Sequence, residues 1–490
     1  MRLACSQPSW SRACRPIVAR EPAPGDGADA RTFDLIVVGA GSGNALVGPE
    51  FAHWSVALID DGERFGGTSL NAASIPSKMF VHVADVAAAA EAGSRLGLSA
   101  SVDPVDWARV RDRIFARTDA VSDAGLLFRQ ATSPNVTVFR ETFGFEDQHT
   151  LMSASGVRLR ADRIVVAAGS RPRPLLAAYD PDPAILDSDE VMRIESLPES
   201  LVIVGGGPVA VEFAHVFSSF GVDVTIVTRS ERLLRGLDVA VSERFTASAA
   251  QRWRLLTEEL VEAIDRVGDH LAVTLESGTQ LETEIVLVAQ GRIPNTDTLG
   301  AAAAGFDLYS DGRLVVDSRQ RMLSRGAPVP GLYALGDISS ATKLKHVANH
   351  EARVVAHNIL HPDAPIGGEP GPVPHAIFTR PQIAHFGLTE ADALADGIDA
   401  VAVTQDYRHT AYGWATEDET GFCTLVVDRD TGELLGAHII GPEASILIQP
   451  LVLAASFGMS VRGLARGQYW PHPAASEVVE NALLKAEEAL

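Results

Sequence analysis

The stretch FDLIVVGAGSGNALV, residues 33–47, returns in altered form further along the chain as SLVIVGGGPVAVEFAHVFSSFG, residues 200–221. Each sets a short apolar run (LIVV, LVIV) before a glycine-rich turn, and each turn opens into a run of helix formers. A second apolar run then follows each, SVALIDD at residues 55–61 and VDVTIVTRS at residues 222–230. Apolar strand, glycine turn, helix and second strand make the βαβ pattern of a dinucleotide site. One such turn is weak evidence; two, each in the same frame, indicate an α/β chain with two Rossmann-like units.

The glycines divide the work. Gly39 and Gly205 permit the tight turn, while Gly41 and Gly207 let backbone N–H groups approach a pyrophosphate at a helix N-terminus. Ala210 fills the third small position of the second copy; in the first copy Asn44 stands there with Gly43 beside it. The second strands differ in how they end. Asp60 closes the first, and a carboxylate there accepts both ribose hydroxyls of an adenosine. In the second copy Thr228 takes that place, followed by Arg229 and then Arg235. Cationic forks suit a ribose 2′-phosphate, so the second unit reads as an NADPH site. The plain alternative is a pair of solvated surface arginines.

At 490 residues the chain has room for about three domains. Its 41 basic and 63 acidic residues give a net charge of −22, which repels nucleic acid and requires a local arrangement to hold any anion. No apolar run reaches the ~20 residues of a membrane span. The three cysteines, Cys5, Cys14 and Cys423, form neither a disulfide framework nor a metal-ligand spacing, and sparse thiols fit the cytoplasm. Residues 1–31, rich in Arg, Pro and Ala without an apolar core, read as a disordered arm.

Two further strand–turn signals, RIVVAAGSRPRP (residues 163–174) and IVLVAQGRIPN (residues 285–295), look like passages between the two nucleotide units. The expected organisation is therefore a discontinuous first domain (32–165 and 285–368), a second domain inserted in it (166–284), and a strand-rich α+β module at 369–490. GLYALGDIS (residues 331–339) adds a strand ending at Gly336–Asp337, with a helix starting near Lys345–His346.

In this order, these pieces resemble the pyridine nucleotide–disulfide oxidoreductase family, the flavoprotein disulfide reductases. Besides the two glycine turns, the resemblance rests on LKHVANHEARVVAHNIL (344–360), YGWATEDETG (412–421) and GQYWPHPAASEVVENALL (467–484), and runs from about residue 33 to the C-terminus. It implies FAD at the first unit, NAD(P)H at the second, and a homodimer built on the C-terminal module. Gly39, Gly41 and Asp60 would hold the FAD pyrophosphate and ribose, and Asp337 its ribityl chain. Gly43, Gly67, Thr68, Gly169, Gly336 and His346, with Gly205, Gly207, Gly291, Arg229 and Arg235, complete the implied cofactor contacts. Lys78 would sit by the reactive edge of the flavin, paired with Glu212. His472 and Glu477 would form an acid–base pair reaching the active site of the other subunit. Read alone, HPAASE favours a loop-to-helix start with Ser476 as N-cap over an acid–base pair.

The chain departs from the family at GGTSLNAASIPSKMF, residues 66–80. Ser69 and Ser74 occupy the positions of the redox cysteine pair, and serine neither forms a disulfide nor supplies a soft nucleophile at neutral pH. Pro208 stands where the family commonly places an aromatic gate over the flavin, and proline cannot swing. The expectation is a flavin oxidoreductase that exchanges hydride directly with a small organic substrate, aided by His472 and with Ser69 and Ser74 as hydrogen-bonding groups. The alternatives are a disulfide reductase using Cys5 and Cys14 of the arm, or a non-catalytic flavin-binding scaffold.

Overall fold

The computed structural model describes residues 30–99, 104–368 and 371–490. The arm that carries Cys5 and Cys14 lies outside the described residues. Arg31, read from sequence as the end of that arm, already belongs to a strand: residues 31–33 pair in parallel with Leu159–Ala161, and the Arg31 guanidinium lies over the Phe33 and Phe139 rings.

The first unit runs through β1 (Leu35–Val38), α1 (Ser42–Leu46) and β2 (Val56–Ile59), with β1 and β2 parallel and every residue of both strands buried. A two-faced burial of this kind requires continuous apolar runs, which is what LIVV and VALI are. Gly48 and Pro49 stop α1 after five residues. Two long helices follow, α2 (Ser74–Ala92) and α3 (Trp107–Thr132), and lead into β3 (Val136–Phe139) beside β2. On the far side of β1 lies β4 (Ile164–Val166).

The second unit repeats the plan with β5 (Ser200–Val204), α4 (Pro208–Ser219), β6 (Asp223–Thr228), β7 (Arg254–Thr257) and β8 (Ile285–Val288) in one parallel sheet. Between the units, Ser170–Pro172 and Arg292–Pro294 cross side by side as an antiparallel pair. The chain then adds β9 (Ala327–Ala334) against β4, so the six-stranded sheet of the first unit takes strands from both sides of the second.

Beyond α5 (Lys345–Leu360), a five-stranded antiparallel sheet is covered on one face by α6 (Ala444–Ser456) and α7 (Glu477–Glu488). A shared core ties α2, α3 and α4 together: Phe80 stacks on Trp107 at 5.1 Å, and Trp107 lies 5.9 Å from Phe217. Burying each of these aromatic side chains contributes roughly 2 kcal/mol. The consequence is that α2 of the first unit and α4 of the second face each other at a fixed distance. No described helix is long and apolar enough to cross a membrane.

Candidate active site

The two turns are built alike at their first glycine. Gly39 has φ +105°, and a Cβ there would lie 2.2 Å from the Ala167 carbonyl oxygen; Gly205 has φ +137° and would meet Ala289 O at 2.4 Å. Only glycine satisfies both the conformation and the approach. In the first turn Gly67 lies against Gly41, where a Cβ on Gly67 would come within 2.6 Å of the Gly41 Cα. The close helix-to-strand packing falls to Gly43, whose Cβ would sit 2.9 Å from both Ala167 Cβ and Val37 Cγ1. That corrects the spacing argument, which put this duty at Asn44. Asn44 is instead gripped by Arg129 of α3, whose Nε donates to Asn44 Oδ1 at 2.6 Å and whose Nη2 donates to the Asn44 and Val47 carbonyls. Because α1 is so short, Arg129 replaces the missing helical turns in satisfying its carbonyls.

Asp60 is buried at the end of β2. One oxygen accepts from Ala40 N at 3.4 Å, and the other accepts from Arg140 Nη1 at 2.6 Å. Burial pushes its carboxyl pKa up, and the Arg140 charge opposes that shift. Asp337 accepts from Ser170 Oγ at 2.6 Å. The preceding glycine, Gly336, donates its N–H to Glu351 Oε2 at 2.6 Å, a carboxylate whose pKa burial raises. Lys345 of α5 reaches back to Ser42 Oγ at 2.9 Å, joining α5 to the first turn. Gly169 and Gly291 each border open space, as does Gly207. Thr68 begins a helical turn, Thr68–Asn71, held to its loop by Asn71 Nδ2 at the carbonyls of Arg64, Phe65 and Gly67. His346 turns its Nε2 to the Pro374 carbonyl at 3.0 Å, so this ring nitrogen is occupied by the chain itself.

In the second unit Pro208 is the first residue of α4, directly after Gly207. Thr228 is buried, while Arg229 and Arg235 are exposed and have no ion-pair partner among the described residues. An exposed, unpaired guanidinium beside an open turn is suited to an external phosphate.

Lys78 from α2 and Glu212 from α4 form an ion pair across the two units. Glu212 Oε1 also accepts from Phe378 N at 2.9 Å, and the Phe378 ring lies 5.1 Å from Lys78 Nζ. Ser69 Oγ and Ser74 Oγ are hydrogen-bonded to each other at 2.6 Å. His472 Nδ1 lies 2.5 Å from Glu477 Oε1, with the oxygen off the line of a hydrogen bond. The second Glu477 oxygen accepts from Ala411 N at 2.9 Å. Glu477 is thus buried and anchored, whereas the His472 side chain is 73% exposed. No hydrogen bond or ion pair among the described residues of one chain joins His472 to Lys78, Ser69 or Ser74. The resemblance brought out both pairs, Lys78–Glu212 and His472–Glu477, but sequence reasoning missed Arg140, Ser170, Glu351, Lys345 and Phe378. Each meets its partner through the fold and not through local spacing, so no motif announces it.

The first turn fits an extended dinucleotide. Two glycine backbones in contact leave no side chain over the turn, and carboxylates stand at the end of β2 and beside Gly336 as hydroxyl acceptors. Residues 33–352 match the pyridine nucleotide-disulphide oxidoreductase family, and residues 373–483 match its dimerisation domain. Mycothione reductase of Mycobacterium tuberculosis is 46% identical over 464 residues, covering 92% of this chain and 99% of the relative. Dihydrolipoyl dehydrogenase of Halobacterium salinarum is 34% identical over 476 residues, covering 93% and 96%. Among solved structures, LpdA of Mycobacterium tuberculosis superposes with a TM-score of 0.79 at 26% identity, covering 92% of this chain and 99% of the other. The HOCl-induced flavoprotein disulfide reductase RclA of Escherichia coli gives 0.80 at 24% identity over 92% and 99%, a likeness of fold.

Proposed function

Because this chain belongs to the pyridine nucleotide-disulphide oxidoreductase family, whose members bind FAD and use NAD(P)H, we propose an NADPH-linked flavin oxidoreductase that works without a thiol stage. Its substrate is a small organic molecule that exchanges hydride directly with the flavin. The observation that carries this reading is the serine pair: two hydroxyls bonded to each other at 2.6 Å, Ser69 in the turn Thr68–Asn71 and Ser74 at the start of α2. A hydroxyl there can donate to or accept from a substrate, but it cannot relay two electrons as a dithiol does.

Bound flavin would supply two-electron chemistry, and Gly39, Gly41, Asp60 and Asp337 are the residues to hold it. The Lys78 ammonium would stand beside the negative charge that develops on reduction, oriented by Glu212. His472, with Nδ1 beside the anchored Glu477, keeps Nε2 for a proton. Its exposure supports delivery of that nitrogen to a partner subunit, and the dimerisation domain supports a homodimer. Pro208, fixed at the first turn of α4, leaves the nicotinamide approach without a swinging side chain. Arg229 and Arg235 would select the 2′-phosphate of NADPH.

An absorbance spectrum followed by anaerobic titration tests the reading. Bound flavin should bleach with NADPH and show no thiolate-to-flavin charge-transfer band, and His472→Gln should lower turnover about a hundredfold or more. Steady reduction of mycothione by a variant lacking Cys5 and Cys14 would overturn the proposal.

A further inference from the structure

Two polar tiers, not one, join α2 to α4. The first is Lys78 with Glu212. The second lies further along the same helices, seven residues on in α2 and three residues on in α4. There Asp85 Oδ1 meets His215 Nε2 at 2.8 Å, and His215 Nδ1 meets Arg252 Nη2 at 3.1 Å and Ser219 Oγ at 3.4 Å. His215 has no solvent exposure at all.

The protonation pattern of this imidazole follows from its partners. A guanidinium only donates, so Nδ1 accepts, the ring proton sits on Nε2, and that proton is donated to Asp85. His215 therefore bridges an anion on one side and a cation on the other, each from a different element. A histidine merely satisfied in a core needs only neutral partners.

Both tiers also reach one further segment. Arg252 Nη1 donates to the Arg380 carbonyl at 2.5 Å, two residues from Phe378, whose N–H donates to Glu212. The links close into a ring: Lys78, Glu212, Phe378, Arg380, Arg252, His215, Asp85 and back along α2. Because Lys78 is a long, flexible side chain, the place of its ammonium depends on how α2, α4 and this segment are held relative to one another.

We propose that His215 is a positioning residue for the Lys78 ammonium, acting through the Asp85–His215–Arg252 tier to fix α2 against α4. The inference rests on the reading above that Lys78 stands by the flavin. The His215 ring nitrogens are taken up by Asp85, Arg252 and Ser219, so its effect is read in the reduction of the flavin and not in binding.

The experiment measures the midpoint potential of the flavin in the full-length holoenzyme. His215→Leu should reduce the equilibrium constant for two-electron reduction about tenfold, a fall of about 30 mV. His215→Gln, whose amide can donate to Asp85 and accept from Arg252, should restore most of the loss. Asp85→Ala guards against a folding defect, because the Asp85 side chain is 41% exposed, and it should shift the potential in the same direction. In a Lys78→Met background, His215→Leu should add nothing, since a positioning residue has nothing left to position. An undiminished shift in that background overturns the proposal, as does an unchanged potential in both His215→Leu and Asp85→Ala while Lys78→Met moves it. If Lys78→Met itself leaves the potential unmoved, Lys78 is not at the flavin and this inference falls with that reading.

Discussion

At Gly39 and Gly205 the two nucleotide units are nearly superimposable in design, each with a glycine pressed against a carbonyl of the neighbouring strand's end. Two residues later they part. Gly41 is faced by Gly67 and followed by a five-residue helix clamped by Arg129, and its acidic partner Asp60 is engaged by Arg140. Gly207 faces open space, leads into a twelve-residue helix, and has two uncommitted arginines nearby. One turn is enclosed by its own protein and the other is left open. On the proposed reading, that difference separates a resident cofactor in the first from an exchanging one in the second.

The comparison can be broken at three points. Gly39→Ala and Gly205→Ala should each destabilise the fold by about 3 kcal/mol or more, from the left-handed backbone and the carbonyl overlap together. Only Gly39→Ala should also abolish flavin content, measured by absorbance against the unfolding midpoint. A smaller effect is expected at the open turn. Arg229→Ala with Arg235→Ala should raise the KM for NADPH about tenfold for each guanidinium lost, while the KM for NADH and the flavin content stay level. Equal effects on both nicotinamides would remove the distinction between phosphate recognition and general charge.

The smallest effect concerns pH. Burial raises the Asp60 pKa above that of the unfolded chain. Its contribution to stability is therefore complete below the unfolded value and declines as pH rises through the folded one. Flavin-free Asp60→Asn should gain on the unsubstituted protein as pH rises above the ordinary aspartate pKa of about 4, read from unfolding midpoints. The same variant should bind flavin more weakly. A stability difference that did not change with pH would show that Arg140 fully offsets the cost of burial.

Much of this molecule was legible in its sequence because the informative signals were local. LIVV and LVIV declared buried parallel strands, and Gly39 and Gly205 declared turns no other residue could make. The pairs Lys78–Glu212 and His472–Glu477 were reached through resemblance, and both are in contact. What could not be read was anything that depends on the meeting of distant segments. Arg129 reaches Asn44 from α3, Arg140 reaches Asp60 from beyond β3, and Arg252 meets His215 from beside β7. An arginine in a sequence carries no sign of which carboxylate or carbonyl it will face. Gly43 is the instructive error: spacing alone put the packing position one residue late, whereas it is a Cβ at 43 that would meet Ala167 and Val37.

The crossing of Ser170–Pro172 and Arg292–Pro294 has a consequence for how such a chain can change. Everything from residue 173 to residue 291 enters and leaves through one narrow seam, its two ends about 5 Å apart across a strand pair. A graft inserted there would meet a fixed doorway, with almost no added loop-closure entropy for the host. The second unit is in that sense a cassette. A replacement module would also have to cover Phe80 and Trp107 as α4 does, while the sheet beneath it kept its register.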